Sequence, residues 1–248
     1  FHVPFGNPAD SPTGNLPYRR VWPVSQHDIQ NTGARVPGSY DGDLTSDFAV
    51  LRYDSFDEPI WYIRTSSGRQ AAFRFGGVKS VPVVGDYDGD SVADPVIISN
   101  ADNGLLEWRL RDVNGYEKSA YFGLHGDNPL TGDFDCDKKN DFAVTRKLGG
   151  LHHWFIRLST GGEVGPLPFG LEADKTFGAD MNGDGCDDVV VAQEVFGAVY
   201  WYSITLSSLK AGGKPRAVSW GLAGDQKLAP MDMDGDGLDD YIVVRPIG

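Results

Sequence analysis

Asp86-Tyr87-Asp88-Gly89-Asp90-Ser91-Val92-Ala93-Asp94 places four carboxylates within nine residues. Like charges this close raise one another's proton affinity unless a cation lies among them. The element D-x-D-G-D-x-x-x-D recurs with few exceptions. The others are Ser39-Tyr40-Asp41-Gly42-Asp43-Leu44-Thr45-Ser46-Asp47, Asp133-Phe134-Asp135-Cys136-Asp137-Lys138-Lys139-Asn140-Asp141, Asp180-Met181-Asn182-Gly183-Asp184-Gly185-Cys186-Asp187-Asp188 and Asp232-Met233-Asp234-Gly235-Asp236-Gly237-Leu238-Asp239-Asp240. Their starts are 47, 47, 47 and 52 residues apart. A fixed period of this size marks a solenoid or a propeller.

The flanks repeat as well. Each loop is followed by a short apolar run: Phe48–Leu51, Pro95–Ile98, Phe142–Thr145, Val189–Ala192 and Tyr241–Val244. Such a run reads as a strand buried on both faces. An aromatic strand comes next, around Trp61, Trp108, Trp154 and Trp201, whose recurrence points to packing between blades. A third strand ends in Phe75-Gly76, Phe122-Gly123, Phe169-Gly170 or Trp220-Gly221. A fourth, such as Val81–Gly85, leads into the next loop, and its proline suits an unpaired inner edge. Four strands per period with no helical pattern make a propeller blade.

These patterns predict an all-β fold, a five-bladed β-propeller with four-stranded blades, as one domain over residues 1–248. The blades fall at about 36–80, 81–127, 128–174, 175–226, and 227–248 together with 1–35. N- and C-terminal strands share that last blade and close the ring, the N-terminal pieces being Phe1–Phe5 and Tyr18–Val24. Closure removes open sheet edges.

The loops read as calcium cages. Ca²⁺ takes 6–8 oxygen ligands, and Mg²⁺ prefers fewer protein ligands and more waters. Positions 1, 3 and 5 offer side-chain oxygens, position 7 a backbone carbonyl and position 9 a bidentate carboxylate. The expected ligands are Ser39, Asp41, Asp43, Thr45 and Asp47; Asp86, Asp88, Asp90, Val92 and Asp94; Asp133, Asp135, Asp137, Lys139 and Asp141; Asp180, Asn182, Asp184, Cys186 and Asp188; and Asp232, Asp234, Asp236, Leu238 and Asp240. An EF-hand is excluded, because it needs Gly at position 6, Glu at 12 and flanking helices. Eighteen of the 35 acidic residues are loop ligands, and five divalent ions would bring the net charge of −13 to −3. Three to five structural Ca²⁺ ions are expected. The first loop should be weak because Ser39 replaces a carboxylate. The third is doubtful because Cys136 replaces the turn glycine and Lys138 and Lys139 add positive charge. Asn182 is a mild change.

The repeat resembles the bacterial VCBS / FG-GAP class, related to the calcium-binding blades of integrin α-chain propellers. Val84-Gly85-Asp86-Tyr87-Asp88-Gly89-Asp90, Trp61-Tyr62-Ile63-Arg64, Val243-Val244-Arg245-Pro246 and the Phe-Gly pairs carry the likeness, over residues 36–248. The resemblance implies calcium loops on one face and ligands often on the other. Such domains include adhesion modules, lectins and modules attached to enzymes, so fold alone does not set function.

Outside the loops, Arg52, Arg146 and Arg245 each follow the last loop aspartate by five residues. With Asp127, Asp174 and Asp225 they should gather on the face opposite the metal. Either they form an anion or sugar site, or they pair with those aspartates, which is the favoured reading. Arg52, Tyr53, Arg146 and Arg245 are the ligand-binding candidates. Trp22, Phe56 and the irregular turns 53–59, 99–105, 146–152 and 193–198 are further recognition positions, since variable loops on a rigid scaffold carry binding. The adjacent His152 and His153 point to opposite faces of a strand. No nucleophile–base pair, phosphate loop or zinc spacing is present. Cys136 and Cys186 sit in adjacent loops on one face; blade spacing usually exceeds the reach of a disulfide, so free or buried thiols are the favoured expectation and a bridge between the two is the alternative.

An acidic chain disfavours nucleic acid and anionic membrane. A secreted or cell-surface, calcium-stabilised recognition module for a glycan or extracellular protein is the leading expectation. A polysaccharide hydrolase or lyase working in the propeller funnel, and a structural spacer of a larger surface protein, are the alternatives.

Overall fold

The computed structural model describes residues 38–43, 47–112 and 114–246. It is an all-β propeller of antiparallel sheets. The first blade is three-stranded, with β1 (Phe48–Tyr53), β2 (Pro59–Arg64) and β3 (Gln70–Arg74). The second holds β4 (Val81–Gly85), β5 (Asp94–Asn100), β6 (Leu105–Arg111) and β7 (Glu117–Leu124). The third holds β8 (Asn128–Gly132), β9 (Asp141–Leu148), β10 (Leu151–Arg157) and β11 (Glu163–Leu171). The fourth holds β12 (Lys175–Ala179), β13 (Asp188–Val195), β14 (Ala198–Ile204) and β15 (Arg216–Leu222). A two-residue pair follows, β16 (Gln226–Lys227) with β17 (Val243–Val244), extended by a bridge between Met231 and Asp240.

Among the described residues four blades stand, where the repeat predicts five. The β16–β17 pair is too short to bury a face of its own and does not constitute a blade. The N-terminal strands expected to complete it, Phe1–Phe5 and Tyr18–Val24, lie outside the described residues. A second correction explains the irregular last period. The connection between β14 and β15 carries α1 (Leu206–Lys210), capped by the Thr205 side chain. This short helix fills the longer turn that stretches the spacing from 47 to 52 residues.

The core lies between blades. Phe134, Ala143, Trp154 and Ile156 of the third blade pack on Val189, Val191, Ile204 and Leu206 of the fourth. Leu51, Trp61 and Phe75 of the first pack on Val84, Ala93 and Ile97 of the second. The apolar runs read as doubly buried strands behave so in β5, whose first five residues are all buried, and in β13. In β1 they do not, since Phe48 is exposed.

The aromatic-glycine pair has a specific role. Each blade's buried tryptophan donates its indole N–H to the carbonyl of the aromatic residue in that pair. Trp61 donates to Phe75 O at 2.9 Å, Trp108 to Phe122 O at 2.8 Å, Trp154 to Phe169 O at 3.0 Å and Trp201 to Trp220 O at 2.9 Å. The following glycine turns left-handed and leaves room for the next blade. A Cβ on Gly123 would come 2.9 Å from Val144 Cγ1, and one on Gly170 2.8 Å from Val191 Cγ1. Pro82 and Pro129 sit on innermost strands paired on one side only, where a missing N–H breaks no ladder.

Candidate metal centre

In the second, third and fourth blades the acidic loop joins the innermost strand to the next strand, so the repeat sets these loops at the same end of each sheet. Backbone N–H groups arrange their carboxylates. Asp86 accepts from Gly89 N at 2.6 Å and from Ser91 N at 2.9 Å, and Asp90 accepts from Val92 N at 2.8 Å. The position-9 carboxylate accepts from the position-2 N–H: Tyr40 to Asp47, Tyr87 to Asp94, Phe134 to Asp141 and Met233 to Asp240, at 2.6, 3.0, 2.9 and 2.9 Å. Ser39 supplies one weaker anchor in place of a carboxylate, accepting from Gly42 N at 3.1 Å.

These anchors bring three carboxylates together in each of four loops. Asp41, Asp43 and Asp47 form one cluster, Asp86, Asp88 and Asp94 another, Asp133, Asp135 and Asp141 a third, and Asp232, Asp234 and Asp240 a fourth; in each, oxygens lie within 4.8 Å of one another. Burial, reinforced by the neighbouring aspartates, pushes Asp94 and Asp141 up to about 7. Asp188 rises to about 7 for the same reasons, and Asp47 and Asp180 also rise. Asp41 Oδ1 and Asp135 Oδ1 are buried without a hydrogen-bond partner. A buried, partnerless carboxylate oxygen is costly unless a cation satisfies it. The donor set is hard oxygen throughout, which fits a hard divalent cation.

The fourth loop differs. Asn182 turns its amide nitrogen inward and donates to both oxygens of Asp188 at 3.2 Å. An ion there requires the amide to rotate and present its oxygen. The third loop differs in the other direction. Lys139 reaches away from its own loop and donates to Asp88 O at 2.9 Å, so its charge falls on the neighbouring loop.

Sequence reasoning missed the outer clasp. In the first and third blades the turn that leads into the outermost strand folds back over the acidic loop. In the first blade Ser66 N donates to Asp47 at 2.6 Å, Ser67 Oγ to Asp41 at 2.7 Å and Ser66 Oγ to Asp43. In the third, Ser159 N donates to Asp141 at 2.8 Å, Ser159 Oγ to Asp137 at 2.6 Å and Thr160 Oγ1 to Asp135. The signal was the pair of hydroxyl residues before Gly68 and Gly161. In the second blade the same turn, between β6 and β7, contains Asp112 and Asn114. A small pocket there is lined by Tyr87, Asp88, Asp94, Leu110, Asp112, Tyr116 and Lys118. Thr45, an expected carbonyl ligand, lies outside the described residues, as does Trp22.

Of the ligand-binding candidates, Arg146 is engaged in a two-pronged pair with Asp127 at 2.7 and 2.8 Å, and Arg245 in one with Asp225 at 2.8 and 2.9 Å. The same aspartates cap turns by accepting from Leu124 N and Leu222 N. Arg245 holds Asp225 down at about 2. The pairing reading therefore holds for both arginines. Arg52 instead lies 4.8 Å over the Tyr62 ring, and Tyr53 is half-buried. His152 is buried and its Nε2 lies 3.2 Å from Asp174 O.

The expectation of unpaired cysteines is overturned. Cys136 and Cys186 are bonded, with Cα atoms 4.9 Å apart. Blades diverge outward, but the loops meet near the axis, where position 4 of one touches position 7 of the next.

Comparison with known families finds the FG-GAP-like repeat in residues 180–243. This span runs from the fourth acidic loop to just past the fifth. Neither curated proteins nor solved structures yield a match.

Proposed function

The chain is an FG-GAP-like repeat β-propeller, and from that premise we propose that it is an extracellular recognition module whose blades are fastened by calcium. The observation that carries the reading is the pair of buried carboxylate oxygens without partners, Asp41 Oδ1 and Asp135 Oδ1, at the same position of two repeated acidic loops. The ion would be held by the carboxylates of positions 1, 3, 5 and 9, and it neutralises their repulsion. The disulfide is consistent with an oxidising compartment. No helix among the described residues is long and apolar enough to cross a membrane.

Recognition falls on the opposite face. There Arg146 and Arg245 are already paired, which moves attention to the turn tips. Phe56 and Phe196 are both exposed at hairpin tips, and Phe196 is held at φ 49° beside Gly197. An exposed aromatic ring on a rigid turn suits the apolar face of a sugar or a protein surface. The calcium reading is tested by chelation: the melting temperature should fall by many degrees in excess EDTA and return with added Ca²⁺. A melting curve unchanged by thorough chelation removes the reading. A glycan array comparing the protein with its Phe56→Ala/Phe196→Ala variant tests the face, with binding expected only for the former.

A further inference from the structure

Neighbouring acidic loops meet by one rule. A Cβ on Gly42 would come 3.3 Å from Val92 Cγ2, one on Gly89 2.4 Å from Lys139 Cε, and one on Gly183 3.3 Å from Leu238 Cγ. Each contact sets position 4 of one loop against position 7 of the next. At the third junction the same two positions are Cys136 and Cys186. The backbone is stitched alongside. In the second to fifth loops position 8 donates its N–H to the position-1 carbonyl of the preceding loop: Ala93 to Ser39, Asn140 to Asp86, Asp187 to Asp133 and Asp239 to Asp180, at 2.6–2.8 Å. Asp187 also accepts from Asp133 N at 2.6 Å.

Position 4 is left-handed in every loop, with φ of 73°, 85°, 78° and 81° at the four glycines and 69° at Cys136. Glycine adopts that conformation freely. For any other residue it carries a penalty equivalent to roughly a tenfold factor in population. At Cys136 the covalent bond to the neighbouring loop opposes that penalty. Asp135 and Asp137 flank Cys136 directly, and Asp184 and Asp188 lie two residues either side of Cys186. Cys136 is exposed, so a reductant can reach the bond.

We propose that the Cys136–Cys186 disulfide is a redox clasp that holds the backbones of the third and fourth acidic loops in place for cation binding, so that reduction by an external dithiol weakens these two sites and spares the others. The proposal rests on the calcium reading above. A dithiol attacks one sulfur to form a mixed disulfide, and its second thiol then displaces the protein. Two cysteine thiols form and the dithiol leaves as a cyclic disulfide, so that two electrons and two protons pass to the protein. Cys136 then leaves the left-handed region and carries Asp135 and Asp137 with it.

The test is a calcium titration by calorimetry of the whole chain, oxidised and after treatment with dithiothreitol followed by desalting under argon. Reduction should weaken part of the sites by about tenfold, with an unchanged circular dichroism spectrum. Asp88→Asn, which disables the second loop, should leave that loss intact. Cys136→Gly/Cys186→Leu installs the residues found at the Gly183–Leu238 junction. This variant should bind calcium as the oxidised protein does and ignore the reductant. Identical titrations before and after reduction overturn the clasp alone. A reductant effect that persists in the glycine–leucine variant, or one spread over every site, also overturns it. Absence of calcium binding by the oxidised protein overturns the calcium reading together with the clasp.

Discussion

Asp94, Asp141 and Asp188 close their loops from buried positions, and burial raises each to about 7 from an ordinary 3.8. A carboxyl raised on folding stabilises the fold when protonated. That contribution is complete below about 4 and is lost as pH climbs through about 7. Without a metal, therefore, stability falls across this window. With calcium the slope reverses, because protons compete with the ion for the same oxygens. Melting temperatures between pH 4 and 8, taken in EDTA and in calcium, should slope in opposite directions; parallel slopes would refute the cage. Asp225 behaves oppositely to the metal-free loops: Arg245 lowers it to about 2, so its contribution is present above the usual carboxylate range and lost only in strong acid. All these aspartates were visible in the sequence as a pattern. Which of their oxygens lack partners was not, because Ser67 and Thr160 approach from turns 26 and 25 residues away.

At the scale of the strand and turn, the blade's signature is the tryptophan bonded to the carbonyl of its aromatic-glycine pair. Trp108 is wholly buried, and its indole N–H meets Phe122 O. Trp108→Phe leaves that carbonyl unsatisfied and opens a cavity, a loss of roughly 2–4 kcal/mol. Urea unfolding reads this directly, and a change under about 0.5 kcal/mol, the scale of an ordinary surface substitution, would show that the bond is incidental. The sequence displayed both halves of this bond at constant spacing and placed the tryptophans in the inter-blade core. It did not display α1, since a five-residue helix has no periodicity to read. Its stabilisation comes from Leu206, which is buried against the third and fourth blades.

Over the whole molecule, the disulfide closes a segment with a sequence separation of 50 residues, spanning the third blade and into the fourth. The loop-entropy model assigns such a closure about 4 kcal/mol, an upper bound on what reduction removes. The urea midpoint should fall on reduction in calcium as well as in EDTA, since the entropy of the open chain does not depend on the ion. The all-β blades, the strand order within them, the acidic turns and the end of the sheet that carries them were determined by the sequence, because a period of 47 residues fixes the register of every copy; the number of blades was not, since five were predicted and four stand among the described residues. Tertiary structure decided the rest. The pairing of Cys136 with Cys186, the inward turn of the Asn182 amide, the hydroxyl clasps and the four-blade extent of the described sheets all depend on distances between residues of different repeats. A repeat declares what each unit holds, but how closely two units approach is settled only when their side chains pack.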